Sequence, residues 1–592
     1  MKDFLKTTLA VICGVLILRI VGALLSLIVF AGMASLGKSV SPMPKEGVMD
    51  INLAKIALTE QTDDSGQFDF MAMSQGNAYD NIGIWDAVRA IRKAASDPAV
   101  KYILLRGDAI NGGTAEVEEL RDALARFRES GKPVVAYLEN PGNGTYYLAS
   151  VADKIYMTSY HGGTSQLLGI SGRMMFLKDV LDKLGVKMQL IRHGKYKSAG
   201  ETYIKSSPSE ENLEQNRQMV KSIWGTMSTA MSEAREIPAE RLNGMIDNLE
   251  LNLPEDFLRA GLVDELMDHE ALVTKLCDLA VVASEKDLRL FSLKTYIDNQ
   301  APELPGRSNV AILFADGEIV EGDSEEQISG KRFEREIDRL RKDPTVKAVV
   351  LRVNSPGGSV LASTRIRTAL DLLQSEKPVV ASYGNYAASG GYWISSGCDK
   401  VFSNATTLTG SIGVFSMIPE ASGAAKKLGV NLVTVNSNKH SDMFSLMRPF
   451  DAAETAYAQA YVEDIYSTFV GLVAEGRSMT PEAVDEIAQG RVWTGTDALG
   501  IGLVDEIGTL SDAVAYAASL AGFTDESEYK ITTAPAVQTS FAKIMKQFGS
   551  NGEEPYILSG TPFEGLGKSL SALKEGNPAM VYARMPYSIE IR

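Results

Sequence analysis

Residues 406–414 read TTLTGSIGV, and residues 192–201 read RHGKYKSAGE. The first stretch holds Ser411 between Gly410 and Gly413; the second holds Lys195 and Lys197 in a tight loop. A serine hydroxyl attacks a carbonyl only when a base takes its proton. Flanking glycines let a substrate backbone come close. A lysine is such a base when neutral, so its ordinary pKa of about 10.4 must fall by several units, which burial can do. A third stretch, NSPGGSV, carries Gly357 and Gly358 after an apolar run. Adjacent glycines there can aim backbone N–H groups at a developing oxyanion. Each stretch alone has an ordinary explanation: a turn serine, a solvated lysine, a tight Gly-Gly turn.

The elements that position these residues occur twice. SDPAVKYILLRG (96–107) matches KDPTVKAVVLRV (342–353), and SGKPVVA (130–136) matches SEKPVVA (375–381). YYLASVADKIYM (146–157) matches YWISSGCDKVFS (392–403), DKLGV (182–186) matches KKLGV (426–430), and GLVDEL (261–266) matches GLVDEI (502–507). The offsets stay between 241 and 246 residues, in one order throughout, which identifies a duplicated domain. Each copy reads as an apolar strand, an amphipathic helix (AEVEELRDALARFRES; LASTRIRTALDLLQSE), a KPVVA strand, a Gly-rich turn, a second helix and a further strand. Such alternation predicts βαβ units and a parallel sheet covered by helices. The expected domains are residues 47–297 and 309–533, joined by a polar linker at 298–308 with two prolines. Residues 534–592 belong to neither copy, and their end, ARMPYSIEIR, is expected to form an edge strand.

Chemistry split between the copies would sit where they differ. Registered on KLGV, Ser411 falls opposite Thr164, so the serine is absent from the first copy. Lys197 lies twelve residues after Gly185; the same count from Gly429 reaches Ser441, so this lysine is absent from the second copy, with Lys439 nearby. A serine from one half and a lysine from the other predict a dyad assembled between them, a known variant of serine hydrolase chemistry. A histidine base remains open from spacing: among His161, His193, His269 and His440, His193 precedes Lys197 by four residues and His440 lies in the corresponding loop of the second copy. No HExxH or equivalent carboxylate cluster points to a metal.

With 592 residues the chain exceeds one core, and its net charge of −16 argues against nucleic acid as a partner. Cys13, Cys277 and Cys398 are far apart in sequence and are expected to be unpaired. Residues 7–36 are apolar with one charge, Arg19, and exceed the roughly 20 residues that cross a bilayer, so residues 1–46 are expected to be an uncleaved membrane anchor.

Together RVNSPGGSV, YAASGGYWISS, ATTLTGSIGVF, GKYKSA and GRVWTG resemble the long form of signal peptide peptidase A, over nearly the whole chain. The resemblance implies tandem α/β domains of the Clp protease and crotonase-like fold. It implies Ser411 as nucleophile, Lys197 as general base, and Gly357 and Gly358 as the oxyanion hole, with the amide of Ile412 as a further donor. It also implies a homotetramer in the inner membrane, its catalytic body on the extracytoplasmic side, cleaving remnant signal peptides without a cofactor. After GKYKSA the chain reads AGETYIKSSPS where the family carries a more apolar run. A crotonase-type acyl-CoA enzyme and a catalytically inactive membrane scaffold are the alternative readings of the same scaffold.

Overall fold

A computed structural model describes residues 41–62, 79–163, 165–301, 306–325, 327–536 and 581–584. The expected anchor at 7–36 lies outside the described residues; among these, no helix is long and apolar enough to cross a membrane.

The apolar runs become buried parallel strands. In the first repeat the sheet order is Glu265–Met267, Lys154–Thr158, Val134–Leu138, Val100–Arg106, Gly47–Asn52 and Leu290–Ser292. The second repeats that order with Glu506–Ile507, Lys400–Ser403, Val379–Ala388, Val346–Ser355, Asn309–Asp316 and Lys530–Ala534. The amphipathic segments form the helices Thr114–Arg128 and Val360–Gln374. Leu120, Leu124 and Phe127 are buried on the one, Ile366, Leu370 and Leu373 on the other, at the 3–4-residue spacing of a helix face.

The two sheets diverge at one strand. Val134–Leu138 is 5 residues long, whereas its counterpart Val379–Ala388 is 10. The first stops short of Pro141, which has no N–H for a ladder, where the second repeat has Ala387. The added length pairs with Leu408–Gly410, which in turn pairs antiparallel with Val492–Thr494.

The repeats are joined by a shared third sheet. Its order is Ile328–Ser329, Ile319–Val320, Gly357–Ser359, Val581–Arg584, Val414–Glu420 and Lys187–His193. Lys187–His193 comes from the first repeat and pairs antiparallel with Val414–Glu420 of the second over its full length. One apolar cluster also crosses the seam, bringing Ala388, Leu408 and Val492 into the first repeat's core. Beside it Arg352, fully buried, binds Glu60 at 2.7 Å and Glu119 at 2.7 Å, both from the first repeat. The strand Val581–Arg584 has neighbours on both sides, so it is interior to its sheet; the edge strand expected over 583–592 falls, beyond Arg584, outside the described residues. Cys277 and Cys398 are free and buried.

Candidate active site

Lys197 leaves the strand Lys187–His193 through a turn at Gly194, whose φ is +101°. The loop is held from several sides. Tyr196 N–H donates to Gln489 O at 2.9 Å, and the Arg192 guanidinium donates to Lys197 O at 2.8 Å. Gln215 Nε2 donates to Tyr196 O and to Ser198 Oγ, each at 3.0 Å. The Arg491 guanidinium lies 4.8 Å over the Tyr196 ring. Gly490 is pressed so closely against the lysine that a Cβ there would stand 2.5 Å from Lys197 Cβ.

The result is a fully buried amine. Lys197 Nζ lies 2.8 Å from Ser389 Oγ, 2.9 Å from Ser411 O and 3.0 Å from Ser411 Oγ. Burial without an offsetting negative charge holds its pKa well below the usual lysine range. A neutral amine has two N–H donors and one lone pair, so it can donate to Ser411 O and one hydroxyl and accept from the other hydroxyl. Lys195 instead is exposed, its ammonium 5.2 Å over the Tyr196 ring.

Thus Lys197 and Ser411 meet across the seam, and with them a residue the sequence reading did not select. Ser389 ends the lengthened strand Val379–Ala388 and opens the helix Gly390–Ser395 with φ +57° and ψ −113°. Its N–H donates to Gly410 O at 2.8 Å, which ties it to the strand leading into Ser411. A sharp strand-to-helix turn with a non-glycine residue at positive φ is the geometry that exposes a serine hydroxyl as a nucleophile. Ser411 is also left-handed, at φ +49°, with its N–H donated to Arg491 O at 2.7 Å.

Strand order separates the two serines. Val379–Ala388 lies between Val346–Ser355, which runs into Gly357 and Gly358, and Leu408–Gly410, which runs into Ser411. Ser355 pairs with Ala387, and a Cβ on Gly391 would stand 2.8 Å from Ser355 O. Ser389 is therefore the serine on the strand next to the glycine pair, and Ser411 is one strand farther away. Gly357 and Gly358 have φ of +101° and +157°, and Gly357 N–H donates to Ser355 Oγ at 3.2 Å. Ile412 is buried, and its carbonyl accepts from Gly490 N–H at 2.8 Å.

The histidines are engaged elsewhere. The His193 ring stacks on Tyr466 at 3.8 Å. His440 Nδ1 lies 2.9 Å from Glu454 Oε1, and Arg448 also holds that carboxylate at 2.7 Å.

In the first repeat the corresponding positions carry different groups. Extending the YYLAS/YWISS match three residues toward the N-terminus sets Ser389 opposite Asn143. Asn143 donates to Gly169 O at 2.9 Å and accepts from Gly169 N–H at 3.0 Å, so it pins a loop. The Gly113 N–H donates to the Glu116 carboxylate, and Ala115 N–H donates to Asn385 of the second repeat at 3.0 Å. That Ser389/Asn143 difference was the available sequence signal, of the same kind as the Ser411 difference.

The family described as Peptidase family S49 matches residues 126–283 and 371–524, one stretch in each repeat. Protease 4 of Haemophilus influenzae is 33% identical over 533 residues, 87% of this chain and 86% of that protein. Protease 4 of Salmonella typhi is 37% identical over 74% of this chain and 72% of that one. The chloroplastic serine protease SPPA of Arabidopsis thaliana is 31% identical over 78% of this chain and 69% of that one. Among solved structures, a point mutant of ClpP1 from Listeria monocytogenes is similar over 34% of this chain and 94% of that chain, at 15% identity and a TM-score of 0.24. With a matched stretch in each repeat and relatives aligned over most of their length, the chain belongs to peptidase family S49 and is an SppA-type serine peptidase.

Proposed function

We propose that the chain hydrolyses peptide bonds with a Ser-Lys pair in which Ser389 is the nucleophile, Lys197 the base, and Ser411 the group that holds the amine. The observation that carries this reading is the fully buried Lys197 Nζ, 2.8 Å from the hydroxyl of a serine on a strained strand-to-helix turn. The assignment moves the nucleophile from Ser411, the residue the family resemblance suggested, to Ser389. Strand order is the reason: a carbonyl whose oxygen faces the amides of Gly357 and Gly358 lies beside Ser389. Ser411 binds the amine twice, through Oγ and O, which orients its lone pair toward Ser389.

In the first step the Ser389 O–H proton passes to neutral Lys197 as Oγ bonds to the scissile carbonyl carbon. The carbonyl π pair moves to oxygen, where the N–H groups of Gly357 or Gly358 and of Gly390, directly after the nucleophile, receive it. Collapse breaks the C–N bond, and Lys197 returns the proton to the leaving amine. Water, deprotonated by the same amine, then attacks the acyl-enzyme and frees Ser389.

The same reading takes apolar remnant signal peptides as substrate, and residues 7–36 as a single-pass anchor in the inner membrane with the catalytic body on the extracytoplasmic side. Support for it is the long apolar run with one charge and the chemistry of an apolar peptide, which partitions to the bilayer where such a body stands. A homotetramer is part of the proposal, resting on the family resemblance. The direct test is mass spectrometry of the chain after reaction with a serine-directed phosphonate. An adduct on Ser389 that is lost in Lys197→Ala supports the reading; an adduct on Ser411, or none on either serine, overturns it.

A further inference from the structure

The helix Glu210–Arg235 of the first repeat lays a polar face along Val492–Thr494, the outer strand of the second repeat's sheet. Gln215, Gln218 and Ser222 follow one another at the 3–4-residue spacing of one helix face. Ser222 Oγ lies 2.7 Å from Thr494 Oγ1, and Gln218 Nε2 donates to Asp497 Oδ2 at 3.4 Å. Gln215 is fully buried and reaches in two directions. Its Oε1 accepts from Val492 N–H at 3.3 Å, while its Nε2 donates to Tyr196 O and to Ser198 Oγ, each at 3.0 Å.

Both directions lead to the catalytic groups. Tyr196 and Ser198 flank Lys197 in the chain. Val492 pairs with Gly410, the residue before Ser411, and Gly410 O accepts from Ser389 N–H at 2.8 Å. The residues just before Val492 hold the same two parts: Gln489 O takes the Tyr196 N–H at 2.9 Å, and Arg491 O takes the Ser411 N–H at 2.7 Å. Glycines bracket the lysine loop, Gly194 at φ +101° and Gly200. Such permissive ends leave the loop's position to ties of this kind.

We propose that Gln215 is a positioning residue for the peptidase: it ties the lysine loop to the strand beside Ser411, and so sets the distance from Lys197 Nζ to Ser389 Oγ and keeps the loop closed over the amine. The proposal rests on the peptidase reading above and adds a residue that touches no reacting atom. An amide suits the place, because it offers donors to one side and an acceptor to the other without a charge beside the amine. The charged groups around the loop are paired with one another, Arg192 and Lys205 with Glu201 at 3.4 Å each and Arg491 with Glu214 at 3.0 Å, while Lys195 is exposed. Removing the Gln215 amide leaves those charges in place, so its effect on the amine comes from displacement and water.

The test compares the full chain with its Gln215→Met variant, which keeps the side chain's length and removes all three hydrogen bonds. On one fluorogenic apolar peptide, kcat falls on the order of tenfold to a hundredfold, the scale for a displaced catalytic group, with KM within about twofold. The rising limb of kcat/KM moves up by about one pH unit, because a loosened loop admits water to the amine. Gln215→Asn, one methylene too short to span Tyr196 and Val492, gives the same pattern and serves if Gln215→Met does not fold. An unchanged kcat, or a lower kcat with the limb unmoved, overturns the proposal and leaves the peptidase reading standing. The amine is also titrated without turnover, by NMR of chains carrying Ser389→Ala and isotopically labelled lysine, with Lys197 assigned by its loss in Lys197→Met. An upward shift of that titration in Gln215→Met supports the proposal even if no peptide is cut; an unmoved titration overturns it.

Discussion

Lys197 Nζ and Ser389 Oγ lie 2.8 Å apart although 192 residues separate them in the chain. Each comes from a different copy of one duplicated domain, and neither copy holds both. The pair exists because a strand of the first repeat joins a sheet of the second, carrying the lysine loop over the serine turn.

Replacing Ser389 by Ala is expected to lower kcat by at least about a thousandfold, the scale for losing a nucleophile that works as part of a unit. Ser411→Ala leaves the attacking oxygen in place but removes one of the amine's partners, so a loss of roughly ten- to a hundredfold is expected. Steady-state kinetics of the two variants on one peptide check the order. Equal losses would argue against separate roles.

Lys197→Met is expected to abolish turnover and, at neutral pH, to raise the melting temperature. The sign follows from the depressed pKa of the buried amine. Near pH 7 an unfolded lysine holds a proton that the folded, buried lysine does not, so folding releases a proton and this lysine's cost falls as pH rises toward about 10.4. Met fills similar space without that cost. Thermal unfolding of both chains at several pH values measures it. The native enzyme's kcat/KM should rise with pH as the amine deprotonates, with a limb well below the ordinary lysine range.

Gly490→Ala should disable the site from outside it. A Cβ there would stand 2.5 Å from Lys197 Cβ, on a residue whose φ is +79°. The left-handed backbone alone costs about 1–2 kcal/mol for a residue with a side chain. The lysine loop must move to make room, so activity is expected to fall more than stability. The check is kinetics beside thermal unfolding on the same preparation.

The seam should weaken as pH rises from mildly acidic to neutral. Burial, and then the neighbouring Glu60 charge, push Glu116 up to about 7. The same two causes raise Asp316 to about 7. A carboxyl with a raised folded pKa contributes stability that is complete below its unfolded pKa of about 4 and is lost as pH rises through the folded value. The melting temperature is expected to fall between pH 5 and pH 8, and Asp316→Asn to flatten that fall. Arg352→Met, which strands Glu60 and Glu119 without their cation, should cost about 3–5 kcal/mol at neutral pH.

Much of this was legible in the residues themselves. Repeat offsets exposed the duplication, and the Val- and Ile-rich runs the parallel strands, because burial on both faces selects such residues. Comparing the copies singled out Lys197. It led to Ser411 and passed over Ser389, whose partner Asn143 carries the same kind of difference. SGGY reads as a flexible turn, and no spacing rule reveals that Ser389 sits at φ +57° beside the glycine pair.

What the sequence determined by itself was the inventory: two copies, their strands and helices, one lysine and the serines within reach of it, all set by local pattern. Only the tertiary structure decided that Ser389 joins Ser411 around the amine, that the amine is buried, and that residues 581–584 become a strand of the shared sheet. Those depend on strand order and on pairing between residues hundreds of positions apart. Such contacts are stabilised by burial and hydrogen bonding that no local window of the sequence contains.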